Sequence, residues 1–210
     1  MAEAQIDAAA KRRTKPAAER RKDVLDAALK LFRERGYNET TVQDIAEAAG
    51  VAIGTVYIHY SSKEHVLAAL HERFHTAMAE ELAEAGADIL ERQARGETID
   101  LGESVGRLLD LTAAYMTTHR EACEVVMKYL PGPEVTRGEK VFIEFLTRLL
   151  EEAIREGVAH TSDPEMFARL MSAAIGFTTA SSVAFGDPPD LPRLISAAKE
   201  FLAKALAPRA

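Results

Sequence analysis

Along most of this 210-residue chain, apolar side chains return every three or four positions, the spacing of one helix face. Val24, Leu25, Ala28, Leu31 and Phe32 open the series, with Pro16 where a helix start tolerates proline and Gly36 as a stop signal. Val42, Ile45, Ala46 and Ala49 predict a short second helix closed by Gly50, and Thr40 and Gln43 before it have capping-box spacing. Ser61 and Glu64 repeat that spacing ahead of a long helix through Val66, Leu67, Leu70, Phe74, Met78 and Leu82. Beyond it the stripe predicts a helix over Leu101–Met116, a shorter one over Glu121–Leu130 stopping at PGP, and another through Phe142, Phe145, Leu149 and Ile154 closed by Gly157. Asp163-Pro164 reads as the cap and first residue of a helix to Phe185, and Leu191, Leu194, Ile195, Phe201 and Leu202 form a final amphipathic stripe.

One stretch breaks the pattern. GVAIGTVYIHY, residues 50–60, is chargeless and rich in Val, Ile, Thr and Tyr, a β-strand on propensity alone. A lone strand would leave its backbone N–H and C=O groups without partners, and no other stretch competes as a strand. The expectation is therefore a short third helix held by its neighbours, in an all-α chain.

Helix, tight glycine turn at Gly50, then helix is the order of a helix-turn-helix. Ala52, Ile53, Gly54 and Thr55 give the third helix a small, apolar tip that allows close approach to another surface. Tyr57 and His59 can reach phosphate oxygens, Thr41 offers a hydroxyl at a helix start, and Lys63 adds a full positive charge at another. A cation is a poor choice near a positive helix end, which favours a phosphate partner for Lys63. Tyr60 continues the packed stripe and is expected in the core.

Charge changes the picture next. The net charge is −7, yet Lys11 to Lys22 hold seven basic residues against Glu19 alone, while residues 71–210 hold 15 basic and 23 acidic. A basic front on an acidic body suggests two tasks in one chain. The division expected is a disordered basic tail over 1–15, a DNA-binding domain over 16–75 with its helix-turn-helix at about 41–60, and a further helical domain over 76–210. No apolar run is long enough for a membrane span, and the N-terminus lacks the order of a signal peptide. The one cysteine, Cys123, excludes an internal disulfide and fits a reducing cytoplasm.

YNETTVQDIAEAAGVAIGTVYIHYSSKEHVL, with Phe32, Gly36-Tyr37, Thr41-Val42, Ile45-Ala46, Gly50-Val51, Gly54-Thr55-Val56-Tyr57, His59-Tyr60 and Ser62-Lys63-Glu64 in order, resembles the DNA-binding domain of the TetR family of tetracycline-repressor-like regulators. The resemblance spans roughly residues 19–75. It implies an all-helical homodimer of about nine helices. The third helix would enter the major groove of a palindromic double-stranded operator, and the last two helices would form most of the dimer contact. By position it makes Thr41, Tyr57, His59 and Lys63 phosphate contacts and turns Val42, Gln43, Ala52, Ile53, Gly54 and Thr55 toward bases. Ala52 and Ile53 depart from the polar residues common in the family. They could meet thymine methyl groups, leaving Gln43 and Thr55 as hydrogen-bonding candidates. The Lys11–Lys22 cluster would add attraction blind to sequence.

The helix after Asp163, apolar on nearly all sides, must be covered on both faces, and a second copy of the chain is the economical cover. Tyr115, Met116, His119, Met127, Phe142, Phe145 and Phe177 could be ordinary core; the resemblance implies that they line a pocket for a small, largely apolar molecule. The function expected is a ligand-responsive transcriptional repressor, with no cofactor. A DNA-binding protein without a ligand, or a helical enzyme, are the alternatives. An enzyme lacks support: there is no HExxH, GxSxG or phosphate-cradling glycine loop. His65, His71 and His75 fall near one helix face, where a solvated face is expected rather than a metal site.

Overall fold

The structure, a computed structural model, describes residues 15–97, 100–129, 136–186 and 190–206. Among the described residues there are nine α-helices and no strand. They run α1 (Ala17–Glu34), α2 (Val42–Ala49), α3 (Ile53–His59), α4 (Lys63–Ala94), α5 (Leu101–Thr118), α6 (Arg120–Lys128), α7 (Arg137–Arg155), α8 (Pro164–Phe185) and α9 (Leu191–Ala205). The expected basic tail, up to residue 14, and the PGP stop lie outside the described residues. No helix is long and apolar enough to cross a membrane among those described.

The chain divides into two compact units, one drawn from Met1–His71 with Lys128–Gly132, the other from Glu72–Met127 with Pro133–Ala210. In the first, Val24, Ala28, Phe32, Ile45, Ala46, Val56 and Val66 are all buried. The strand-like stretch is helical, as expected. Ala52, its N-cap, makes no side-chain cap bond, so α3 owes little to local chemistry. It is held instead by Val56, fully buried, a contribution of about 1.5–3 kcal/mol for such a side chain. Tyr60 closes it with an N–H bond to the Val56 carbonyl at 2.8 Å and is itself buried, as expected. Gly50 takes the left-handed conformation, φ 67°, that turns α2 into α3.

Two caps sit one residue later than expected. The cap of α2 is Thr41, whose hydroxyl accepts the Asp44 N–H at 3.1 Å while the Asp44 carboxylate accepts the Thr41 N–H at 2.8 Å. Thr40 is fully buried, and its hydroxyl donates to the Gly36 carbonyl at 2.7 Å. At α4, Ser62 rather than Ser61 receives the His65 N–H, at 3.2 Å, and the His65 Nδ1 accepts the Ser61 N–H at 3.2 Å. At α2, Asp44 accepts where Gln43 was expected to and closes the capping box. At α4 the imidazole Nδ1 takes the N–H of Ser61, one residue before the cap.

In the second unit one core joins Phe74, Met78 and Leu82 of α4, Leu108, Tyr115 and Met116 of α5, Cys123 and Val126 of α6, Leu149 of α7, and Ala180 and Val183 of α8. A smaller cluster packs Ile143, Leu150 and Ala153 of α7 with Ala159, Ala168 and Leu206. Two glycines set helix approach here. A Cβ on Gly138 of α7 would overlap the backbone carbonyl of His75, and one on Gly86 of α4 would meet the Phe145 ring at 2.8 Å. Backbone cannot rotate aside as a side chain can, so Gly138 fixes how closely α7 crosses α4.

Candidate nucleic-acid interface

On α3, Val56 points inward, Gly54 and Ile58 lie opposite it, and Ile53 and Tyr57 are exposed at the sides. Ile53 is 39% exposed, Tyr57 51% and Ile58 79%, the largest exposure among the bulky apolar side chains described. A Cβ on Gly54 would have nothing within 4 Å, and its φ lies outside the left-handed region. Neither packing nor backbone conformation within the chain requires glycine there. Gln43 is exposed on α2, with its Nε2 donating to Glu47 Oε1 at 2.8 Å. Val42, Thr55 and His59 are half-buried, and Ala52 is exposed. The structure thus brings the base-facing candidates of α3 onto or beside one apolar face. Ile58 was missed. Its position four residues after Gly54 on a helix whose inner face is set by Val56 is the signal that could have found it.

The phosphate candidates are less alike. Tyr57 is the freest. The Thr41 hydroxyl is committed to its cap, donating to Asp44 Oδ2 at 2.6 Å, and the bonds from Thr41 hold the Asp44 carboxyl below the usual range. His59 stands 6.3 Å, edge to face, from the Tyr60 ring.

Lys63 departs furthest from what its position suggests. Its ammonium donates to the carbonyls of Tyr37 at 2.7 Å, Thr40 at 2.8 Å and Asn38 at 3.4 Å, and lies 4.3 Å from the centre of the Tyr37 ring. The misfit of a cation at a positive helix end is therefore resolved inside the protein, by carbonyl oxygens. Tyr37 in turn donates its hydroxyl to Glu64 Oε1 at 3.0 Å; burial first, then that bond, pushes the phenol up to about 12. The Glu64 carboxyl is lowered by its own backbone N–H, then by Ser62 and Tyr37.

Of the basic cluster, the described part is partly neutralised: Lys15 pairs with Asp23 at 2.6 Å and Lys22 with Asp26 at 2.7 Å. Lys11, Arg12 and Arg13 lie outside the described residues. Of the three histidines of α4 expected on a solvated face, only His65 is exposed. His71 is buried, its Nε2 2.9 Å from the Tyr129 carbonyl, and His75 is half-buried. Among the described residues no group of three or more His, Cys, Asp or Glu could hold a metal ion.

The ligand candidates divide. Tyr115 and Met116 are core, the Tyr115 hydroxyl donating to the Phe74 carbonyl at 3.3 Å. Met127, Phe142 and Phe145 are half-buried against that core. His119 is exposed at the end of α5, its ring 4.4 Å from that of Tyr115. Phe177 does not join them. It is 59% exposed on the outer face of α8, in line with Met166 and Leu170, because this helix is apolar all round and periodicity alone does not say which face turns inward. A groove of about 750 Å³ lies between α5 and α9, lined by Ala113, Thr117, Leu191, Ile195 and Ser196, none of them among these candidates. The Lys199–Asp110 pair, 3.2 Å apart, stands at the same groove. Cys123 is free and buried, its thiol pushed up to about 11 by burial.

A glycine-turned helix pair presenting a chargeless, close-approach face is the arrangement of a helix-turn-helix DNA-binding protein. Residues 24–70 match the family model for bacterial regulatory proteins of the tetR family. HTH-type transcriptional regulator YhgD of Bacillus subtilis is 24% identical over 159 residues, 73% of this chain and 78% of its own length. Among solved structures, a TetR-family transcriptional regulator from Pectobacterium atrosepticum matches with TM-score 0.68 and 25% identity, covering 92% of this chain and 97% of that one. A complex of SmeT with triclosan matches with TM-score 0.60 and 25% identity, covering 90% and 92%. The chain belongs to the tetR family of bacterial regulatory proteins. It is a DNA-binding transcriptional regulator, a member of a non-enzymatic family.

Proposed function

We propose that the protein is a repressor that binds a palindromic operator as a homodimer and leaves it when a small, largely apolar molecule binds the second unit. Gly54 carries the DNA half of this reading. A glycine inside a helix costs about 1 kcal/mol relative to alanine, and nothing within the chain requires it, so its use lies in what approaches from outside. The flanking Ile53 and Ile58 suit thymine methyl groups, while Gln43 and Thr55 supply hydrogen bonds to base edges. Tyr57 and His59 are positioned for phosphate, with Val42 and Ala52 at the margins and the Thr41 hydroxyl available only by loosening its bond to Asp44.

The exposed stripe of Met166, Leu170 and Phe177 on α8, with Phe201 of α9, supports pairing with a second copy. SmeT, similar over nine-tenths of this chain, is seen in complex with triclosan, which supports a small apolar effector here too. Tyr115, Met116, Met127, Phe142 and Phe145 would line its site, with His119 at the rim. Tyr115 and Met116 are buried in the core, so a molecule that reaches them must open it. Release then requires that the molecule bind the opened state more tightly than the DNA-competent one.

The experiment is a duplex selected from a random library against the full chain, followed by titration with apolar aromatic and fatty-acyl compounds. Specific retention with a Kd at least 1,000-fold, in order of magnitude, below that for random duplex is expected. Among the compounds, at least one is expected both to raise Tm and to dissociate the complex. Retention that no compound disturbs would favour a DNA-binding protein without a ligand; no selected duplex at all would defeat the reading.

A further inference from the structure

We infer that Lys63 is a positioning residue for the DNA-reading helices and does not neutralise a phosphate. The inference rests on the reading above, that α2 and α3 address DNA, and assigns this lysine a different part in it. An ammonium has three N–H donors and no more. All three have carbonyl partners here, those of Tyr37, Thr40 and Asn38, and the Tyr37 ring covers a further side at 4.3 Å. A phosphate oxygen drawing the ammonium away would break the two close bonds, to Tyr37 and Thr40, and leave the Thr40 carbonyl without its partner in half-buried surroundings.

What the bonds tie together explains the lysine. Tyr37 to Thr40 is the turn between α1 and α2, and Lys63 is the first residue of α4. The turn has no repeating backbone ladder to hold it. Its inner side is fixed by Thr40, fully buried with its hydroxyl on the Gly36 carbonyl, and its outer side by the Lys63 ammonium. The Tyr37 hydroxyl on Glu64 adds a second strut between the same turn and the same helix start. Thr41 follows at once and caps α2, so the direction in which α2 leaves the turn is set by this pair of struts. α3 follows α2 through Gly50 and has no side-chain cap bond of its own. Loosening Lys63 therefore tilts both reading helices.

A phosphate contact and a strut differ in how they respond to salt. Each phosphate neutralised adds about 0.9 to the slope of log K against log salt concentration, because counterions are released. A strut adds nothing to that slope. The test measures Kd for the selected duplex from about 50 to 200 mM salt, and Tm without DNA, for wild type, Lys63→Met and Lys63→Arg. Lys63→Met is expected to lower Tm by several degrees and to weaken binding by one constant factor at every salt concentration, with the slope unchanged. Lys63→Arg, which can still donate to carbonyls, is expected to recover part of both losses. A slope reduced by about 0.9 or more per half-site, or a Tm that does not move, would overturn the assignment.

Should Lys63→Met fail to fold, acetylation of the wild-type protein mapped by mass spectrometry decides the matter. Lys63 is expected to react slowly in the free protein, with no further protection on adding the duplex. Fast reaction that the duplex suppresses would mark a phosphate contact. If the wild type binds no duplex, the DNA reading fails while slow acetylation of Lys63 still stands, so the two failures are told apart.

Discussion

Gly54→Ala is expected to lose specific DNA binding by about 10- to 100-fold while leaving the fold at least as stable. The two halves of this outcome have separate causes. In the folded chain the new methyl group meets nothing within 4 Å, and the backbone is already in a conformation that alanine adopts. Exchanging glycine for alanine inside a helix then favours the folded state by up to about 1 kcal/mol, or about 2–4 °C in Tm for a chain of this size. If Gly54 faces the bases as proposed, the same methyl stands at the point of closest approach, between Ile53 and Ile58. It lifts the face from the base edges, and contacts worth about 1–3 kcal/mol are lost. Melting curves and Kd values for the selected duplex measure both halves. A variant that melts higher and binds as before would show that Gly54 is not where DNA comes closest.

The double substitution Leu170→Glu with Phe177→Glu is expected to leave a folded monomer with operator affinity reduced by at least about 100-fold. Both side chains are more than half exposed on α8, so the isolated chain loses little packing when they change. In a pair joined through this face, two carboxylates per chain would be buried beside their symmetry copies without partners, which costs several kcal/mol. Each monomer could then hold only one half-site, and the gain from linked binding disappears. Sedimentation equilibrium reads the mass directly, and far-ultraviolet circular dichroism shows whether the helices persist. A variant that remains a dimer would move the pairing surface away from this stripe.

Much of the architecture was legible in residue spacing. The helix stripes from Val24 to Leu206 are where the elements form, and the strand-like stretch at 50–60 was rightly refused because it had no strand to pair with. The misreadings share a physical origin. Thr40-Thr41 and Ser61-Ser62 offer two hydroxyls each, and the choice between them rests on partners in space: Asp44 for Thr41, the Gly36 carbonyl for Thr40, and the His65 N–H for Ser62. Phe177 and His71 were misplaced because helical periodicity gives relative faces without saying which neighbour covers each. Lys63 is a different case: charge at a helix start suggests a phosphate, and what the structure adds is a set of partners within the chain. The three carbonyls come from a turn some 25 residues earlier and are invisible to local pattern. Ile58 was overlooked because an isoleucine invites no chemistry until its exposure is known.

Whether the outer face of α3 lies against DNA is read by alkylation of an Ile58→Cys variant. The native Cys123 is buried with its thiol pushed up to about 11, so it contributes little background. The introduced thiol should react quickly in the free protein, since position 58 is 79% exposed. With the selected duplex bound, the reaction is expected to slow at least tenfold, roughly in proportion to occupancy. An unchanged rate in a complex shown to be fully formed would place the DNA away from this face of α3.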